Sequence, residues 1–268
     1  MRASTFLRAL RVLPAAVVSL TCLHAHHEAI FGPQSAALIA QRRFVSAQYF
    51  LADQGRRPLP LERSHIGVLT AGIGVGARWS LTATLPIESE RSTTGETTSG
   101  AHDVVLGARY FPEVGNNRTM VAVFTAEPPT SGLEHHAVGL GSGLMYGAER
   151  GHWSGIVYGL GRTEFSLDKG EKRGNRLFLG TGLAYEHERL PFSPQLGFSW
   201  ERVGKRREEG MPVQESRVSA LMIHPTVSKT FRQEHVQTFF VVSLPVGQWS
   251  GGEGWPRWRI AAGIVWGF

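Results

Sequence analysis

His136 and Ser142 are the closest approach in this chain to a nucleophile and its base. A serine hydrolase needs hydroxyl and imidazole within hydrogen-bond reach, and an Asn or acid to orient the ring. Six residues of extended chain separate the two groups by about 20 Å, so they cannot form that bond within one strand. A pair across neighbouring strands stays open until register is known. His24, His26 and His27, and the pair His135–His136, carry metal-ligating side chains. Neighbours on one stretch of chain seldom fill a coordination sphere, so no metal and no other cofactor is expected. The one cysteine, Cys22, lies in an N-terminal segment read below as a leader. Without it there is no disulfide, no thiolate ligand and no cysteine nucleophile.

The elements that position these residues are strands. In Trp258–Phe268 every second residue is apolar: Trp258, Ile260, Ala262, Ile264, Trp266 and Phe268. A period of two gives a strand with one apolar face. Aromatic residues stand at both ends of that face, as on a lipid-facing barrel strand crossing a band of about 25 Å. Trp258 and Trp266 are read as girdle residues. Phe268 is read as the final residue of a sorting signal recognised by the barrel assembly machinery.

The same period recurs along the chain, as in Trp79–Ile87, Val104–Tyr110, Val138–Tyr146 and Leu196–Trp200. About twelve strands emerge. The connections alternate in length. Those after odd strands, such as 88–101, 127–135 and 204–215, are long and rich in charge, Gly and Ser. Those after even strands, such as 74–78, 148–152 and 230–234, are about half as long. Alternation of this kind puts both termini on the short-turn side, and an even strand count follows. The expected fold class is all-β, a transmembrane antiparallel up-and-down barrel.

Parity then places polar residues inside. Arg109, Glu186, Glu201, His224 and Arg259 are the pore-lining candidates, either pairing across a lumen or lining a solute path. Glycines at Gly139, Gly141, Gly143, Gly155, Gly159, Gly161, Gly180 and Gly182 are also read as inward, either relieving curvature or keeping a lumen open.

Met1 to Arg11 carries Arg2, Arg8 and Arg11 and no acid, and an apolar run follows to Leu23. Residues 1–25 read as a secretory signal peptide cut after Ala25. Residues 26–268 form the barrel domain, with 26–40 a candidate plug. The chain has 28 Lys and Arg against 22 Asp and Glu; three of the basic residues leave with the leader, so the mature surplus falls from six to three. So small a surplus is no sign of nucleic-acid binding. The run Lys205-Arg206-Arg207-Glu208-Glu209 reads as a solvated outer loop tip able to touch lipopolysaccharide phosphates.

Several short motifs in order resemble the transporter-like outer-membrane family named for the MetA pathway of phenol degradation. They are His26-His27-Glu28 through Gly32-Pro33, Gly74-Val75-Gly76-Ala77-Arg78-Trp79-Ser80-Leu81 before Leu85-Pro86, Asp103 with Leu106-Gly107-Ala108-Arg109-Tyr110, Pro129-Thr130-Ser131-Gly132, His224-Pro225 and Leu244-Pro245-Val246. Ala101-His102 stands where that family carries a Gly before the Asp. The resemblance implies an outer-membrane barrel of a Gram-negative bacterium passing small, hydrophobic or aromatic solutes, in contact with outer-membrane lipid and lipopolysaccharide. The expected role is a non-catalytic channel or transporter. The alternatives are an outer-membrane lipid hydrolase and a barrel whose outer loops bind a surface partner.

Overall fold

The computed structural model describes residues 43–53, 61–92, 97–115, 117–130, 137–166, 174–187, 189–205, 207–208, 211–212, 217–231, 235–250 and 258–267. The leader 1–25, the segment 26–40, His135, His136 and Phe268 lie outside these residues.

The described chain is all strand, in the order β1 (Arg43–Asp53), β2 (Leu61–Val75), β3 (Trp79–Ser92), β4 (Thr97–Ala101), β5 (Val105–Tyr110), β6 (Arg118–Glu127), β7 (Ala137–Arg150) and β8 (Trp153–Ser166). β9 (Arg176–Tyr185), β10 (Ser193–Val203), β11 (Arg207–Glu208), β12 (Met211–Pro212), β13 (Val218–Phe231), β14 (Val236–Ser250) and β15 (Trp258–Gly267) follow. β1 pairs with both β2 and β15, and β2 also pairs with β3, so the sheet closes on itself. β4 and β5 stand end to end along β3 and share one place in the wall, which makes a closed antiparallel barrel of twelve strands. Closure removes the exposed edges that an open sheet would present.

Lipid-facing and lumen-facing residues alternate along each strand. On β15, Trp266 (55 % exposed) and Ile264 face out, while Arg259, Ala261 and Val265 are buried inside. Trp79 packs on Tyr110 and Trp153 on Tyr185, with ring centroids 4.9 and 4.8 Å apart, at the end of the barrel where β1 begins and β15 ends, called the terminal end below. Trp249 and Trp258 mark the opposite, loop end. Two aromatic belts around an apolar band are the exterior of a membrane-spanning barrel.

At the terminal end the connections are short. β2 and β3 join through Gly76, and β7 and β8 through Gly151–His152. Gly76 and Gly151 hold φ of 63° and 62°, a left-handed conformation that glycine adopts without cost. At the loop end the strands run further than their apolar period indicates. β3 continues to Ser92, so part of the expected loop 88–101 is strand, and β14 likewise runs on to Ser250. These extensions are polar or bulged, which hides the period. β14 passes Pro245, which has no N–H to donate, at a register shift opposite Leu221 and Met222. Arg207–Glu208 pairs with Met211–Pro212 in a small ladder at the loop end, where the charged run was expected.

One register break shapes the wall. Thr84 pairs with Val105 and Ile87 with Ala101, so His102, Asp103 and Val104 face only Leu85 and Pro86. This is a β-bulge of one extra residue, and it reverses parity between β4 and β5. Pro86 cannot donate here, but its carbonyl accepts from the His102 amide at 3.0 Å.

Candidate functional site

The described strands enclose a lumen. Its loop-end half holds a cluster of buried polar side chains on β10, β13, β14 and β15. Glu201 and Arg259 are both fully buried and form an ion pair, with Arg259 Nη1 and Nη2 each 3.2 Å from Glu201 Oε2. Ser199 Oγ donates to Glu201 Oε1 at 3.2 Å. His224 bridges two serines, with Nε2 2.8 Å from Ser199 Oγ and Nδ1 2.9 Å from Ser243 Oγ. Ser243 lies beside Arg259 in the β14–β15 register. The five residues thus form a ring across four neighbouring strands. Each charge meets its opposite, which is what burial of an ion demands.

A second group faces the lumen from β6 and β8. Arg162 Nη2 lies 2.6 Å from Glu127 Oε2 and 3.4 Å from Glu164 Oε1. A third surrounds the bulge. Ser64 donates to Glu88, and His102 Nε2 lies 3.6 Å from the same carboxylate. Towards the terminal end the lining mixes uncharged polar residues such as Ser80, Gln195 and Gln237 with apolar ones such as Phe44 and Val265. Arg109 stands with its guanidinium carbon 5.6 Å from the centre of the Phe44 ring.

Apolar side chains also point inward. Phe50, Ile66, Val68, Phe239, Val241 and Ala261 form one buried cluster on β1, β2, β14 and β15. Phe44 and Val265 pack below it, towards the terminal end. A wide aqueous porin keeps its inner positions polar. This barrel instead presents an apolar wall, with paired charges elsewhere around the lumen and the buried Arg109 guanidinium against the Phe44 ring.

The glycines differ from expectation on one strand. On β8, Ile156, Tyr158 and Leu160 face inward and are buried, so Gly155, Gly159 and Gly161 face out. The inward glycines of β7 and β9 make room for those large residues. A Cβ at Gly180 would collide with the Tyr158 hydroxyl, one at Gly143 with Leu160, and one at Gly139 would lie 2.6 Å from Arg162 Nη2. Gly72 and Gly263 give space to Phe44 and Phe239 in the same way. These glycines accommodate neighbouring side chains and do not widen the lumen.

Of the sequence candidates, Glu201, His224 and Arg259 come together in the ring. Arg109 is buried in the lumen nearer the terminal end. Glu186 sits apart, just past β9 at the terminal mouth, its amide donating to the His152 carbonyl at 2.8 Å. Ser199 and Ser243 were missed, because a lone serine carries no signal before its register is known. The apolar wall was missed because β14 is apolar on both faces.

Register also decides the chemistry of the serine–histidine pair. Ser199 and His224 are within hydrogen-bond distance, yet Nδ1 meets a serine hydroxyl where a hydrolase places its orienting acid. Glu201 contacts the serine and not the ring. Both side chains are at most 1 % exposed and face the lumen, away from lipid.

No family model matches the chain, and no curated protein matches it. Solved structures do. The COG4313 outer membrane channel from Pseudomonas putida F1 is similar over 85 % of this chain and 96 % of its own, with 16 % identity and a TM-score of 0.69. The beta domain of the Bordetella autotransporter BrkA aligns over 85 % of this chain and all of its own, with 13 % identity and a TM-score of 0.58. The NanC porin covers 84 % of this chain at 9 % identity, with a TM-score of 0.50. At these identities the likeness is one of fold, and the fold is that of outer-membrane barrels.

Proposed function

We propose that the protein is a narrow, non-catalytic channel in the outer membrane of a Gram-negative bacterium, passing small solutes with apolar or aromatic parts. The terminal end faces the periplasm and the loop end faces outward. The observation that carries this reading is the inward apolar wall of Phe50, Ile66, Val68, Phe239 and Val241, set in a lumen whose central ionic groups are paired. Apolar solute surface gains roughly 25 cal/mol per Å² on leaving water, so such a wall favours a solute with a ring over a sugar of equal size. The paired charges leave little net field of their own to attract an ion, and the Arg109 guanidinium lies apart from them against the Phe44 ring. The MetA-pathway family resemblance and the likeness to a COG4313 channel agree with this reading.

Proteoliposome swelling tests it. L-phenylalanine and arabinose are both excluded by the bilayer itself. Faster swelling in L-phenylalanine than in arabinose is expected. Equal rates, or rates ordered by solute size alone, would overturn the apolar-path reading.

A further inference from the structure

Arg109 is a lumen charge without an opposite. It faces inward from β5 and is 3 % exposed, yet no carboxylate stands beside it among the described residues. Its Nε and Nη1 have no hydrogen-bond partner. The Phe44 ring, 5.6 Å from the guanidinium carbon, attracts the cation but is no counter-charge. A buried cation left this way is costly, and elsewhere in this lumen Arg162 and Arg259 each meet a glutamate.

The polar groups around Arg109 are unsatisfied as well. Ser80 pairs with Arg109 in the β3–β5 register, and Thr82 pairs with Gly107. Both side chains are buried, and neither Ser80 Oγ nor Thr82 Oγ1 has a hydrogen-bond partner among the described residues. Thr82 Oγ1 leans over Gly107, in the space a Cβ would take. The Phe44 ring lies over Gly72 in the same way, and Gly72 pairs with Thr82. One guanidinium, two hydroxyls and one aromatic ring therefore share a patch of wall across β1, β2, β3 and β5. A guanidinium only donates, and a hydroxyl can donate. An anion accepts from all three groups, and its bonds to the guanidinium are charge-assisted.

We propose, resting on the channel reading above, that this patch is where the channel recognises its solute, and that the solute class is an aromatic monocarboxylate of the benzoate type. The carboxylate accepts from Arg109, with the Ser80 and Thr82 hydroxyls as further donors. The solute ring rests against Phe44. One unpaired guanidinium matches one negative charge, so a monoanion fits better than a phosphate or a dicarboxylate. The surroundings select the ring: Phe44 packs with Val265 at this end of the lumen, and Phe50, Val68 and Phe239 continue the apolar wall.

Ligand-induced stabilisation of the folded barrel, read as the midpoint of heat-modifiable gel mobility, is the test. Sodium benzoate, benzamide and sodium acetate are compared at equal concentration and ionic strength. A ligand that binds only the folded state raises the midpoint once its concentration passes Kd. Benzoate should raise it most, because benzamide has the ring without the charge and acetate the charge without the ring. Arg109→Met should cut benzoate affinity roughly ten- to a hundredfold, the worth of a charge-assisted hydrogen bond, and bring benzoate level with benzamide. Thr82→Val keeps the shape and the cation and should weaken benzoate roughly three- to tenfold, the worth of one ordinary hydrogen bond. Three results would overturn the proposal: benzoate no more stabilising than benzamide in the wild type, acetate as stabilising as benzoate, or benzoate affinity undiminished in Arg109→Met (in Thr82→Val, should the first variant not fold). The midpoint is read on the folded barrel whether or not it conducts, so its failure would leave the channel reading standing.

Discussion

Asp103 and Thr130 close the barrel wall where the backbone ladder stops. The Thr130 amide donates to Asp103 Oδ1 at 2.7 Å, and the Val104 amide donates to Thr130 Oγ1 at 2.8 Å. Side chains thus continue the pairing of β5 with β6 past its last backbone rung, Leu106 with Ala126. Asp103 is available for this because the bulge turns it inward. Asp103→Ala should lower unfolding stability by about 1–3 kcal/mol, the usual cost of orphaning a polar group held by a charge-assisted bond. Asp103→Asn keeps an acceptor oxygen and should lose less. Urea unfolding in lipid vesicles, followed by tryptophan fluorescence, ranks the two.

The Glu201–Arg259 pair makes a second, larger prediction. Glu201→Gln leaves a fully buried guanidinium without its counter-charge. The expected loss is about 3–5 kcal/mol, as when one partner of a buried pair is removed. Glu201→Gln combined with Arg259→Met removes both charges and should recover most of that loss. A double-mutant cycle of unfolding midpoints reads the coupling directly. Strict additivity of the two single changes would contradict the ion pair.

Glycines on the two faces should behave oppositely. Gly180→Ala drives a methyl into the Tyr158 hydroxyl, and overpacking of this kind costs typically 1–3 kcal/mol. Tyr158→Ala should relieve much of that added cost. Gly155→Ala meets nothing closer than 3.8 Å and should be close to neutral. Heat-modifiable gel mobility across a temperature series compares all three.

The strand pattern was legible because lipid and lumen impose a strict period of two. Trp258–Trp266 shows it plainly, and the alternation of connection lengths gave the even strand count and the common end for both termini. What stayed hidden was hidden for physical reasons. β14 carries Phe239 and Val241 inside but Phe240 and Leu244 outside, so its parity cannot be read from hydrophobicity. β8 was read with its glycines inward because Ile156, Tyr158 and Leu160 look like lipid-facing residues. They belong inside only because Gly143 and Gly180 on neighbouring strands make room for them, a relation across strands that one segment cannot show. Glu201, His224 and Arg259 were legible as inward candidates, but their joining through Ser199 and Ser243 depends on register. The bulge at His102–Val104 likewise depends on counting residues against β3.

The serine–histidine pair yields a negative prediction. The acid lies on the wrong partner and neither group reaches the lipid face, so the purified barrel should release no fatty acid from phospholipid vesicles, with or without calcium. Ser199→Ala should leave that zero rate unchanged. Fatty-acid release abolished by Ser199→Ala would establish the hydrolase instead.

Single-channel recording in planar bilayers tests the central claim most directly. A continuous narrow lumen predicts small, discrete conductance steps from heat-modifiable wild-type protein. Phe50→Ala with Phe239→Ala trims the apolar wall and should enlarge the steps. Addition of a small aromatic solute such as phenol should reduce the wild-type current by occupying that wall. A folded barrel that gives no steps, in the wild type or with the wall trimmed, would contradict the channel.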